Sequence, residues 1–215
     1  MASGQGILEW HAPDLFQRYD GELVNGRQEG HGIFTNEKGM HCDGDFRDDR
    51  LTGQAKCTWP NGASYEGDWV DWKPDGHGTI TKVNGDSYTG PFVNGKENGR
   101  GVIKFANGAR YYGEVVDGRI SGNGTMTKPD GSSFTGNFAN GEANGRGVLR
   151  FPNGAHYDGE VVDGRISGYG TMTKPDGSSF TGNFVNGRES GLGIVTTQDG
   201  RRIQVEFQDG QLVRR

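Results

Sequence analysis

The sequence predicts an all-β chain, an extended, twisted, single-layer antiparallel meander of tandem 23-residue β-hairpins. Three observations predict it. First, the 215-residue chain matches itself when slid by 23 residues. Tyr88 to Arg110 then lies on Tyr111 to Ser133, Phe134 to His156, Tyr157 to Ser179 and Phe180 to Arg202, and backwards on Tyr65 to Ser87, Cys42 to Ser64 and Tyr19 to His41. Second, the 40 glycines recur at fixed places in that period. Third, apolar residues alternate within each half-unit, and no 3.6-residue stripe competes. A period of this length marks an array in which each unit contacts mainly its neighbours.

Numbering the aromatic start of each unit as position 1, that position holds Tyr19, Cys42, Tyr65, Tyr88, Tyr111, Phe134, Tyr157 and Phe180, and Ile203 starts an incomplete ninth unit. Position 3 is glycine in every whole unit, from Gly21 to Gly182. Position 5 is apolar: Leu23, Phe46, Trp69, Phe92, Val115, Phe138, Val161, Phe184 and Phe207. Alternate strand residues share a face, so positions 1, 3 and 5 line one side with a gap at the glycine. That gap is expected to let a ring from a neighbouring strand lie flat over the backbone. Position 16, from Phe34 through Cys57, Ile80, Ile103, Met126, Leu149 and Met172 to Val195, joins the same face. The other face is expected to be polar and wet. Tyr65, Trp69, Tyr88, Phe92, Tyr111, Phe134, Phe138, Tyr157, Phe180 and Phe184 are the predicted core aromatics.

Turn signals bound both halves of the unit. Positions 7 and 8 read Asn25-Gly26, Asn94-Gly95 and Asp117-Gly118, and positions 20 and 21 read Asn61-Gly62, Asn107-Gly108 and Asp130-Gly131. Asn-Gly and Asp-Gly favour the positive φ angles that reverse an antiparallel chain. Each unit is therefore a hairpin joined to the next by a second tight turn. About 17 or 18 strands follow, about 4.8 Å apart, in a right-handed twisted sheet on the order of 80 Å long.

Residues 1–18 read as a partial unit with an irregular stretch, since Gly4-Gln5-Gly6-Ile7 copies Gly30-His31-Gly32-Ile33 and Pro13 interrupts the spacing. Residues 19–202 hold eight whole units, and 203–215 a partial unit with a basic tail in which Arg214 and Arg215 follow Arg201 and Arg202. Half-units at both ends are what a stretch cut from a longer array would show, with Met-Ala-Ser as vector sequence. At 31% hydrophobic residues the chain lacks the apolar material of a compact three-layer core, and its net charge of −5 argues against nucleic acid as a partner. No run of about 18 apolar residues occurs, and the first residues lack a signal peptide's basic start and apolar stretch. The default expectation is a cytoplasmic location. Two cysteines are too few for a disulfide framework and agree with a reducing compartment.

Tyr88-Thr89-Gly90-Pro91-Phe92-Val93-Asn94-Gly95, followed by Gly99-Arg100-Gly101 and Asn107-Gly108, resembles the MORN repeat (membrane occupation and recognition nexus). The resemblance covers nearly the whole chain. Departures gather in the second and third units, with Cys42 for the aromatic, Ala55 for a glycine, and Asp49 and Trp72 at the turn glycine. The resemblance implies an attachment module. All-repeat members resemble protozoan cytoskeletal scaffolds that dimerise near the plasma membrane, so the implied partners are a second copy and cytoskeletal or membrane-associated proteins, at the cytoskeleton or the inner face of the membrane.

Three residue sets are candidates for function. Ile203, Val205, Phe207 and Leu212 form an apolar terminal strand beside Ile194 and Val195, and an unpaired edge of that kind invites a second copy in antiparallel contact. Position 9 is basic at Arg27, Arg50, Lys73, Lys96, Arg119, Arg165 and Arg188, a row that suits anionic phospholipids, although charges beside hairpin turns also serve solubility. Cys42, Cys57 and His41, with His31 nearby, carry metal-ligand residue types, but their spacing matches no standard zinc pattern. Positions 1 and 16 are expected to be diagonal, which argues against a disulfide and reads both cysteines as small core residues. Position 18 alternates between Trp59, Phe105 and Phe151 and the lysines Lys82, Lys128 and Lys174, a 46-residue period. Gly-x-Gly at positions 12 and 14 opens a strand, so it offers no helix N-terminus for phosphate. No nucleophile, acidic pair or cleft points to catalysis, and neither an enzyme nor a cofactor is expected.

Overall fold

The computed structural model describes residues 3–12 and 15–214, so the expected irregularity at Pro13, the Met-Ala start and Arg215 lie outside the described residues. No helix and twenty strands occur among the described residues. The chain divides into two compact units, residues 1–106 and 107–215. The first holds β1 (Gly4–Ala12), β2 (Leu15–Val24), β3 (Arg27–Asn36), β4 (His41–Arg47), β5 (Arg50–Thr58), β6 (Ser64–Val70), β7 (Lys73–Thr81), β8 (Ser87–Val93), β9 (Lys96–Glu97) and β10 (Gly99–Lys104). There β1 to β8 each pair antiparallel with the next, and β9 and β10 both pair with β8. The second holds β11 (Arg110–Val116), β12 (Arg119–Thr127), β13 (Ser133–Ala139), β14 (Glu142–Arg150), β15 (His156–Val162), β16 (Arg165–Thr173), β17 (Ser179–Val185), β18 (Arg188–Thr196), β19 (Arg202–Gln208) and β20 (Gln211–Arg214), each paired antiparallel with the next. Two strands exceed the expected 17 or 18. One repeat strand is broken into β9 and β10, and the terminal partial unit closes its own hairpin with β20.

The two turns of each unit differ, which the shared Asn-Gly signature conceals. At positions 7 and 8 both residues are left-handed, as in Asn25 at φ 54° with Gly26 at 80° and Asp117 at 49° with Gly118 at 77°. This is the two-residue turn whose twist matches a hairpin. At positions 20 and 21 only the glycine is left-handed, for example Gly62 at 89° and Gly131 at 85°. The preceding Asn or Asp instead accepts from the backbone two residues on, as Asn61 Oδ1 does from Ala63 N–H at 3.0 Å. Asp49 and Trp72 hold the left-handed geometry of the glycines they replace, both at φ 64°.

Register is set by a bulge in every hairpin. A two-residue turn counted without slippage places position 1 opposite position 14. In the structure Val115 faces Ile120, whereas Gly113 faces Gly124 and Tyr111 faces Met126. One residue on the first strand is thus passed by three on the second, and position 1 faces position 16. The bulge also stacks the two glycines of positions 3 and 14 against each other. The ring that covers them comes from position 1 of the same unit and not from a separate neighbouring strand: Tyr111 lies over both Gly113 and Gly124, and a Cβ on either would fall inside its van der Waals contact. Tyr19, Tyr65, Tyr111 and Tyr157 are 0% exposed. Each tyrosine then meets position 5 of the following unit edge to face, with centroids at 4.9 Å for Tyr19–Phe46, 4.8 Å for Tyr65–Phe92 and 5.1 Å for Tyr111–Phe138. This chain of T-shaped contacts is the core. Phe92, Phe134, Phe138, Phe180, Phe184 and Trp69 are buried in it, while most position 16 residues, such as Ile80 and Met126, are half-buried. The opposite face carries threonine pairs such as Thr125–Thr135 at 3.0 Å, together with exposed Tyr112, Tyr169 and Leu192, so it is less uniformly polar than expected.

Candidate functional site

The repeated cell behind the apolar face is closed by a hydroxyl. Where the bulge interrupts the ladder, the carbonyls of positions 4 and 11 need donors. Tyr19 Oη lies 3.0 Å from both Glu22 O and Glu29 O, Tyr88 Oη 3.2 and 3.3 Å from Pro91 O and Asn98 O, and Tyr111 Oη 3.0 and 3.2 Å from Glu114 O and Ser121 O. Burial, reinforced by nearby carboxylates, pushes the phenols of Tyr19, Tyr65 and Tyr88 up to about 12. The Tyr19 and Tyr111 hydroxyls hold the two strands of their own repeat together across the bulge.

The cysteines overturn the sequence expectation. Cys42 and Cys57 face each other directly across β4 and β5, with Cα atoms 4.1 Å apart, and form a disulfide that is 0% exposed. The diagonal placement failed because it omitted the bulge. The pair stands where other units place a ring over Gly-Gly, and Ala55 takes the second glycine's place opposite Gly44. Neither sulfur is a free thiolate, so the two do not act as metal ligands with His41, whose imidazole lies on the other face 3.4 Å from Thr35 Oγ1. His31 Nε2 lies 3.0 Å from Asp43 and its Nδ1 3.6 Å from Asp45, on that same outer face.

The position 9 residues stand at the first turn, as the alternation places them, but part of the row is neutralised. Arg27 pairs with Asp48 at 2.7 Å and Arg50 with Asp71 at 3.0 Å, in each case the acid at position 7 of the next unit. Glu142 interrupts the row in the sixth repeat. Lys96 makes further contacts, while Lys73, Arg119, Arg165 and Arg188 sit opposite exposed Val70, Val116, Val162 and Val185.

At the C-terminal end the expected unpaired strand is paired on both sides. β19 lies between β18 and β20, and β20 is the outermost strand at this end among the described residues. Val205 is buried, and Phe207 stacks on Phe180 at 5.1 Å. Val195, Ile203, Val205, Phe207 and Leu212 follow the ring face. Ile194 faces the other way, beside Leu192, Tyr169 and Gln204, because it is one residue out of phase with Val195. The six residues therefore form two patches instead of one. In the terminal basic cluster Arg201 pairs with Asp199 at 2.7 Å, and Arg215 lies outside the described residues.

Position 10 escaped the sequence reading. It is apolar at Leu51, Pro74, Ile120, Ala143 and Ile166, and the departures at Gln28, Glu97 and Glu189 were the available signal. Gln28 is 3% exposed and lines a pocket of about 350 Å³ with Trp10, Gln17, Phe34, Asn36, Met40, Asp49 and Trp72. A second groove, about 450 Å³, lies over Met126, Phe134, Phe138, Leu149 and Phe151 in the fifth and sixth repeats.

The family model of the MORN repeat matches residues 19–41, 42–64, 65–87, 88–110, 111–133, 134–156, 157–179 and 180–200. Comparison with curated proteins gives no match. Among solved structures the chain resembles the TCP10 domain of Danio rerio CPAP, at 15% identity and a TM-score of 0.53, covering 96% of this chain and 97% of that one. That likeness concerns the fold alone. The TCP domain of Drosophila melanogaster SAS-4 (dCPAP), in complex with a proline-rich motif of Ana2 (dSTIL), matches at 11% identity with a TM-score of 0.35, over 81% of this chain and 83% of that one.

Proposed function

The chain belongs to the MORN-repeat family, and from that premise we propose that it is a non-enzymatic attachment scaffold that binds protein partners and self-associates through its C-terminal edge. The observation that carries the reading is β20. It is a four-residue strand, outermost among the described residues, with Leu212 and Val213 44% and 55% exposed. An edge strand with free backbone groups and apolar side chains is a template for antiparallel pairing, and two-fold symmetry makes such a contact self-complementary. The cytoskeletal or membrane-proximal setting implied by the resemblance is part of the proposal. Size-exclusion chromatography with light scattering tests it. The wild type is expected to be a dimer and Val213→Pro a monomer, because proline removes an edge donor. A monomeric wild type across the accessible concentration range overturns self-association.

One observation favours a second reading, binding to an anionic membrane surface. Basic residues paired across the hairpin with exposed valines, as Arg119 with Val116 and Arg165 with Val162, present charge and apolar surface together. Against it stand the ion pairs of Arg27 and Arg50. Sedimentation with vesicles containing phosphatidylserine at low salt separates the readings, and an absence of lipid-dependent pelleting removes the second.

A further inference from the structure

We propose that the pocket between Trp10, Phe34 and Trp72 receives an aromatic side chain with a donor on its ring edge, a tyrosine or tryptophan of a protein partner, whose O–H or N–H donates to Gln28 Oε1. The inference rests on the protein-attachment reading and gives it a partner chemistry at one place in the array.

Gln28 is the buried polar residue among the described core, and its Oε1 has no hydrogen-bond partner. A buried amide oxygen left unpaired has lost its water without gaining a donor in exchange, so it destabilises the fold until a partner supplies one. The backbone does not explain the side chain's retention, since Gln28 N–H already donates to Asp49 Oδ1 at 2.8 Å and its carbonyl accepts from Asp49 N–H at 3.2 Å. The array contains its own comparison. At position 10 three units later stands Glu97, 14% exposed, whose carboxylate accepts from Lys82 Nζ at 2.8 Å. Lys82 occupies position 18 of the preceding strand, two residues after Ile80, which faces Tyr88. The same register places Trp10, two residues after Leu8, which faces Tyr19, in the Lys82 position beside Gln28. No hydrogen bond joins Trp10 to Gln28, so the donor that satisfies position 10 in one cell is missing from the other.

The walls fit a ring. Trp72 meets Phe34 edge to face at 4.8 Å and Phe46 at 5.8 Å, and its indole N–H is already directed at Asp49 O at 3.4 Å. Trp10 is 38% exposed, and a ring entering beside it gains edge-to-face contacts of the kind that fill the rest of the groove. Asn36 Oδ1 accepts from Met40 N–H at 3.0 Å, which leaves its amide N–H groups for a partner's main-chain carbonyl. One buried acceptor beneath three aromatic rings suits a ring with a single donor better than a sugar, which needs many polar partners.

The test is a titration of the full chain with N-acetyl-tyrosinamide, N-acetyl-tryptophanamide and N-acetyl-phenylalaninamide, followed by side-chain and backbone amide NMR shifts, with maltotriose as the carbohydrate probe. The tyrosine and tryptophan amides are expected to bind at least about tenfold more tightly than the phenylalanine amide, because a ring without a donor leaves the oxygen unpaired. Gln28→Leu, or Gln28→Met should leucine impair folding, is expected to abolish that preference. Equal affinity for all three amides in the wild type, a preference that survives the substitution, maltotriose as the sole ligand, or no saturable shift each overturns the proposal. Loss of this site alone leaves the light-scattering result untouched, so its failure is distinguishable from failure of the scaffold reading.

Discussion

Tyr111 shows what one residue does in this fold. Its ring replaces the side chains that Gly113 and Gly124 lack, and its hydroxyl serves two carbonyls that the bulge strands. Gly124→Ala is therefore expected to destabilise the chain by about 3 kcal/mol in a denaturant titration, since the methyl meets ring and backbone together. Tyr111→Phe should cost about 1 kcal/mol, the net value of the lost hydrogen bond. Phe134 and Phe180, which occupy the same position without a hydroxyl, make Phe134→Tyr the reciprocal test, expected to raise the midpoint. The buried phenols also set an alkaline limit. Tyr19, Tyr65 and Tyr88 ionise in the fold near 12, above the ordinary phenol value of about 10. The unfolded chain therefore loses these protons first, and the stabilisation is complete below about pH 10 and disappears as pH rises towards 12. Thermal midpoints should be level up to pH 10 and fall steeply above it, with tyrosinate absorbance appearing together with unfolding.

At the scale of the element, the hairpins show how one substitution reshapes a strand. Position 4 acids close the bulge from outside, as Asp68 Oδ2 accepts from His77 N–H at 2.6 Å and Asp45 Oδ2 from Gln54 N–H at 3.2 Å. Pro91 occupies that position in the fourth repeat and brings neither a side-chain acceptor nor a backbone N–H, and there alone among the whole repeats the second strand is split, into β9 and β10, whereas Asn137 and Asn183, which keep an acceptor, leave β14 and β18 whole. Pro91→Glu is expected to join them, read as slower hydrogen exchange at Gly99 and Arg100; unchanged exchange would show that the break has another origin. The second unit is held differently. Its disulfide spans a sequence separation of 15 residues, and reduction or Cys42→Ser with Cys57→Ser should cost about 3 kcal/mol, on the chain-entropy account. Thiol titration of the unfolded, unreduced chain should find no free sulfhydryl.

For the whole molecule, stability is distributed along two compact units whose strands pair with their sequence neighbours. Among the described residues from 107 onward each strand pairs with its sequence neighbours, which is the behaviour of a one-dimensional array. Deleting residues 134–179, two repeats, preserves strand direction, face and the alternation at position 18. That deletion should leave a cooperatively folded chain with a modestly lower midpoint. Deleting only 142–150, a single strand, reverses the direction of everything after it and should abolish cooperative unfolding. Circular dichroism melts distinguish the two outcomes.

The sequence by itself determined the period, the hairpins, the aromatic core and the family, because side-chain alternation and turn glycines are local properties that repetition amplifies. Alternation specifies which face a residue shares and leaves open which residue it faces. Register depended on the bulge between positions 3 and 5, a feature without a sequence signature beyond the glycines themselves. From that shift followed the Cys42–Cys57 bond in place of two free core thiols. The separation of Ile194 from the other five residues at the C-terminal end follows from alternation itself, and β19 gains its second neighbour because β20 closes a terminal hairpin. Burial decided the rest. Position 10 could be read as one more polar place beside a turn until the packing of Trp10, Phe34 and Trp72 enclosed Gln28 and left its oxygen without a donor.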